Sequence, residues 1–210
     1  MPDPSLSFKC INWRTRERFV NWVGYVHYSC NLAPEILFRA INLMDRYLAK
    51  SNCPPQGAQW DSLAAACLWS SWKFDGAEYP IIPLDTVLDY TQPGVISRTD
   101  VIFAEWTLHR ILEHDLSFPG PLVFMRRALL AFESSKEIAY LARFFVEISL
   151  TAKSMVLCRP SGTAAAAVWL ARELMGIPTW VSIPSYSSLT HSDRTPLDSG
   201  DGGGDYLEGT

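Results

Sequence analysis

Cysteine is scarce and badly placed for cross-linking: Cys10, Cys30, Cys53, Cys67 and Cys158 are odd in number, scattered, and form no CxxC pair. That excludes a disulfide framework and a structural zinc site of the usual spacing, and it suits a reducing compartment. Charge is also thin. Charged residues make up 19% of the chain, with 18 Lys and Arg against 22 Asp and Glu, so the net charge is −4. A chain with no basic excess has no electrostatic footprint for nucleic acid, and none is expected as a partner. No run approaches the ~18 continuous apolar residues of a membrane span. The opening residues, MPDPSLSFKC, carry no apolar core of a secretory signal. The expectation is a soluble intracellular protein.

Catalytic signatures are missing as well. There is no P-loop, no GxGxxG after a strand, no HExxH and no GxSxG. His27, His109, His114 and His191 stand apart from partners at metal-ligand spacing. Glu105, His109, Glu113 and His114 come nearest to a cluster, an arrangement common by chance. The sequence therefore predicts no catalytic residues, no metal and no cofactor; a binding protein is expected, not an enzyme.

What is present is helical periodicity. Hydrophobic residues are 48% of the 210, enough to fill a substantial core. Phe19, Trp22, Val23 and Val26 recur at i, i+3, i+4 and i+7, the spacing of one amphipathic helix face. Leu37, Ile41, Met44 and Leu48 repeat the pattern after Pro34 and Glu35, a proline and an acid suited to a first helical turn. Each stripe carries one charge of opposite sign, Arg16 and Asp45. A lone charge on a core-facing line is costly unless paired. Either the two meet across the helices, or each points to the rim of its stripe.

A third helix is expected from about Trp60 to Lys73, with Ala64, Cys67, Leu68 and Trp72 inward. A short element, LDTVLDY, precedes a helix capped by Ser97, with Val101, Glu105, Leu108 and Leu112 along one line. No segment alternates as a strand does, so the fold is all-α. HDLSFPGP (114–121) marks a boundary, because Pro119, Gly120 and Pro121 stop one helix and open another. Three more helical runs follow, 122–132, 136–152 and 162–176, with Ile138, Leu141, Phe145 and Ile148 at helical spacing along the second. The run Ala164–Ala167 suits a helix enclosed by neighbours. From residue 179 the chain is rich in Ser, Gly, Pro and Asp and reads as disordered.

Several of these residues together resemble the cyclin family, closest to the A- and B-type mitotic cyclins of fungal character. Arg16, Val20 and Trp22, then Leu32, Pro34 and Glu35, then Asn42, Leu43, Asp45, Arg46 and Leu48 look like the opening of a cyclin box. SWKFDGAEYP is similar to the ASKYEEIYPP signature. SFPGPLVFMRRA, YLARFFVEISL and RPSGTAAAAVWLARELMG look like the start of a second box. The resemblance implies a lead-in over 1–13, a first box over 14–116, a partial second box over 117–178 and a tail over 179–210. Two further helices of a full second box have no counterpart in that tail.

The resemblance implies site residues too. Arg16 and Asp45 would form a buried ion pair. From their residue types alone, Lys73 suits the end of a helix dipole and Glu105 a solvated helix face. The family reading instead places both on a kinase-facing surface, exposed in the free protein, with Phe74, Leu116 and His109 beside them. Ser70, His109 and His114 replace residues usually apolar there, and Gly76 and Asp75 weaken the acidic signature. Phe19 and Trp22 belong to a substrate-docking groove degraded by Thr15 and Arg18, where a cationic peptide would be repelled. The implied function is a regulatory subunit, found in nucleus and cytoplasm, that binds and activates a cyclin-dependent serine/threonine kinase in cell-cycle control. Kinase substrates would engage a weakened groove. The alternatives are a cyclin-fold scaffold of transcription-factor type without a kinase, or a degenerate inactive copy.

Overall fold

The computed structural model describes residues 12–51, 55–75 and 83–177, and every regular element among them is helical. The first group is α1 (Trp13–Ser29), α2 (Pro34–Lys50), α3 (Gln59–Asp75), α4 (Leu84–Leu88) and α5 (Arg98–Ile111). The second is α6 (Pro121–Ala131), α7 (Lys136–Ser149) and α8 (Pro160–Leu174), with a 3₁₀ turn at Lys153–Met155. The stretch expected as a tail lies outside the described residues, as does most of the lead-in.

Local chemistry sets the helix starts. Asn12 caps α1, its side chain accepting from the Arg14 and Thr15 amides. Ser97 and Asp100 close a reciprocal capping box at α5. Pro34, Pro121 and Pro160 each open a helix, where the missing N–H costs no intrahelical bond.

Two cores result. In the first, α3 is the hub, with Leu63 to Leu68 and Trp72 all buried against α1, α2 and α5. The alanine run Ala64–Ala66 lets those neighbours approach closely. The second core gathers Leu122, Met125, Ile138, Ala142, Val146, Ala164, Ala167, Val168 and Ala171. Phe38 of α2 also belongs to it, so α2 serves both bundles.

The helical run expected over 136–152 is α7, which ends at Ser149. Its buried line is Ile138, Ala142 and Val146, whereas Leu141 and Phe145 are half-buried and Ile148 is 50% exposed. Ala142 sits between Ile138 and Val146 on that line, where its small side chain lets α7 approach the alanine-rich face of α8, while Leu141 and Phe145 pack on the same core partly exposed. The alanine run of α8 is split in the same way: Ala164 and Ala167 are buried, Ala166 is exposed.

The two bundles are tied by polar contacts. Arg126 of α6 pairs with Glu35 of α2. Glu113 and His114 both take left-handed backbone conformations, at φ 55° and 60°, which for side-chain-bearing residues costs on the order of 1 kcal/mol each. Three cations of α2 hold the segment beyond: Arg39 donates to the Leu116 carbonyl at 2.8 Å, Arg46 to Asp115 and the Ser117 carbonyl, and Lys50 to Glu113. Positions 39, 46 and 50 fall on one helix face by spacing.

Candidate interaction surface

Arg16 sits at 3% exposure and donates from Nε and Nη2 to both oxygens of Asp45, each at 2.8 Å. Its Nη1 donates to the Leu150 carbonyl, also at 2.8 Å. The structure thus brings Arg16 and Asp45 together and adds a third partner from the end of α7. Burial pushes the Asp45 carboxyl up, and the guanidinium pulls it back. The pair is structural, and it forms one wall of a cleft of about 540 Å³ between the bundles, with Ile41, Phe118 and Val156 on other sides.

Lys73, at the last turn of α3, and Glu105, on α5, face each other with Nζ–Oε1 at 2.6 Å. The expectation that both stand exposed is corrected. Lys73 is exposed, but the Glu105 side chain keeps only 13% of its surface. The reason is a polar network. Ser70, 1% exposed, donates its hydroxyl to Glu105 Oε1 at 2.6 Å. His109 Nε2 lies 3.3 Å from Ser70 Oγ and 3.9 Å from the same carboxylate oxygen. Lys73 Nζ also sits 3.7 Å from the centre of the Trp69 ring, a cation–π contact.

Phe74 is 50% exposed, with one ring face under the Arg39 guanidinium at 4.2 Å. Arg39 in turn grips both oxygens of Asp75, at 2.9 and 2.7 Å. Asp75, read from sequence as a shortened acid, is thus an anchor for the end of α3. Leu116 packs in the first core at 8% exposure. Along the outer side of α5, Ile102, Phe103 and Trp106 are exposed, Phe103 and Trp106 stack, and Arg110 lies over Trp106 at 4.5 Å. Sequence reading missed this ridge and the Arg39–Asp75 anchor. The ridge had a signal in the i, i+1, i+4 spacing of 102, 103 and 106; the anchor had none, since it spans 36 residues.

His109 is pushed below its ordinary value, first by burial and then by the Lys73 and His114 charges, while Glu105 opposes. No cluster of His, Cys, Asp and Glu among the described residues is set to hold a metal ion. The Glu105 oxygen nearest His109 is already taken by Ser70 and Lys73.

Phe19 is 5% exposed in the first core. Trp22 is half-buried and donates its indole N–H to the Tyr90 carbonyl at 3.0 Å. Both line a surface groove with Thr15, Arg18, Trp60 and Asp61. No described helix is long and apolar enough to cross a membrane.

Residues 2–117 match the cyclin N-terminal domain profile, and residues 119–196 match the cyclin C-terminal domain profile. This chain belongs to the cyclin family. The second match runs into residues beyond those described. G2/mitotic-specific cyclin-3 of Saccharomyces cerevisiae is 31% identical over 188 residues, covering 89% of this cyclin and 43% of that protein. Cyclin-B2-2 of Oryza sativa subsp. indica is 32% identical over 180 residues, covering 85% and 42%. This cyclin thus spans less than half the length of either relative. Among solved structures, a viral cyclin from herpesvirus saimiri superposes with a TM-score of 0.70 at 14% identity, covering 81% of this chain and 74% of that one. A chain of the CAK complex from Chaetomium thermophilum bound to ATP-gamma-S gives 0.60 at 14%, covering 82% and 55%. At those identities the likeness is one of fold.

Proposed function

We propose that this cyclin is the regulatory subunit of a cyclin-dependent serine/threonine kinase acting in cell division, with no catalytic residues of its own. The observation that carries the reading is the Lys73–Glu105 pair, set where α3 and α5 lie side by side, with exposed Phe74 nearby. The G2/mitotic-specific names of its relatives support the cell-division context.

On this reading the α3–α5 face receives the kinase's glutamate-bearing helix. It holds that helix where the kinase's lysine–glutamate pair and metal-bound ATP align. Lys73 and Glu105 contribute charge-assisted hydrogen bonds to the kinase backbone and side chains. Phe74 and His109 contact the same element, and Leu116 supports the face from beneath. The first box occupies 14–116 and the second begins at 117. The complex works in nucleus and cytoplasm.

The test is purification of the tagged protein from its own cells under mild conditions. A co-purifying protein kinase that phosphorylates histone is the expected result. Recovery of the protein with transcription components and no kinase would replace this reading with that of a scaffold.

A further inference from the structure

The network beneath Lys73 has a proton count that assigns each bond. Glu105 Oε1 accepts from Ser70 Oγ at 2.6 Å and from Lys73 Nζ at 2.6 Å. Serine has one hydroxyl hydrogen, and it is spent on Glu105. The contact of 3.3 Å between His109 Nε2 and Ser70 Oγ therefore has His109 as the donor, so the neutral ring carries its hydrogen on Nε2. Ser70, receiving one bond while giving another, is a bridge in a polarised chain from imidazole to carboxylate.

The charges around His109 come from three places: Glu105 one turn back on α5, Lys73 on α3, and His114 beyond the end of α5, its ring centre 5.8 Å away. Lys73 opposes a second positive charge on His109, and Glu105 favours one. At 3.9 Å the carboxylate is close enough to turn from Lys73 to a protonated imidazole with little movement. One carboxylate can thus serve two cations, and both keep part of their side-chain surface in solvent, 35% for Lys73 and 27% for His109.

We propose that His109 is a positioning residue that couples proton uptake to release of Lys73: when an acidic group of a partner engages Lys73, His109 gains a proton and takes over Glu105. The partner half of this inference rests on the kinase reading above; the network itself does not. Its consequence is that association through Lys73 strengthens as pH falls through the range in which free His109 is neutral and bound His109 is charged. The lower end of that range lies below the ordinary histidine value of 6.5, because burial already holds the free side chain lower.

Imidazole proton resonances of the intact chain, followed against pH, test the network directly, with His109→Gln identifying the signal. His109 should titrate below 6.5 in the parent. It should move up by about half a pH unit or more in Lys73→Met and down in Glu105→Gln. Lys73→Met removes the ammonium from Glu105 and Trp69 but keeps an unbranched side chain at an exposed position, so folding is expected to persist, and Glu105→Gln reports independently if it does not. A His109 indifferent to both changes overturns the inference. The second arm is affinity for the co-purifying kinase between about pH 7.5 and 5.5, parent against His109→Gln. The parent should gain about threefold or more relative to the variant as pH falls. Equal profiles overturn the coupling even if the titrations behave as expected. No kinase binding at any pH overturns the kinase reading and the partner half with it, while the titrations still decide the network.

Discussion

The guanidinium of Arg16 reaches the Leu150 carbonyl at 2.8 Å, across 134 residues of sequence, with its other nitrogens on Asp45. One side chain in the first helix thereby satisfies a buried acid of its own bundle and a carbonyl at the end of α7. Removing it leaves both without a donor.

Arg16→Ala should accordingly cost about 3–5 kcal/mol of folding stability, chiefly through the uncompensated Asp45 charge. The deficit has a sign in pH. Burial already pushes the Asp45 carboxyl up, and without Arg16 nothing draws it back. A folded carboxyl raised above its unfolded value is destabilising when ionised, and that penalty fades as pH falls through the folded value. Urea denaturation at pH 7 and about pH 5 should show the variant recovering part of its loss relative to the parent. A variant as stable as the parent at pH 7 would remove Arg16 from the structural core.

Lys73 and Glu105 should separate in stability yet agree in binding. Lys73→Ala removes an exposed partner and should change stability by less than about 1 kcal/mol. Glu105→Ala strips the acceptor from the buried Ser70 hydroxyl and should cost about 1–3 kcal/mol. For kinase association each loss is expected to cost about 2–5 kcal/mol, and the double change should abolish co-purification and histone-directed activity. A folded double variant that retains an active kinase would defeat the assignment.

His27 provides a second pH dependence, away from the α3–α5 face. It is buried, and its Nε2 lies 3.0 Å from the Ala33 carbonyl, which can only accept, so the neutral ring donates there. Burial holds its value below 6.5 despite that bond. The unfolded chain therefore binds a proton more readily, and stability should fall as pH drops below 6.5. His27→Gln should flatten that part of the profile in thermal melts between about pH 7.5 and 5.5. An identical slope in both proteins would assign the effect elsewhere.

The groove beside α1 should be a poor site for cationic docking peptides. Arg18 lies on it together with Thr15, and Trp22 is committed to the Tyr90 carbonyl. A peptide of the RxL type, titrated by fluorescence anisotropy, is expected to show no saturation at low micromolar concentration. Tight binding lost in Trp22→Ala would contradict this.

The sequence by itself determined the helices and their order. Apolar spacing at 3.6 residues, prolines at three first turns and the Ser97–Asp100 box are local signals, and each acts within a few residues of where it stands. It also determined the membership that residues 2–117 and 119–196 express. Tertiary structure alone decided which face each helix buries when several are apolar. In α7, Ile138, Ala142 and Val146 are buried while Leu141 and Phe145, no less apolar, pack on the same core half-buried. It alone decided the partners of the charges. Arg39 finds Asp75 and Leu116, and Glu105 finds Ser70 beneath Lys73, over separations of 35 to 77 residues. Periodicity reports how strongly a residue avoids water. It carries no information about which distant donor will arrive to satisfy a buried acceptor, because that is set by how the packed helices bring their ends together.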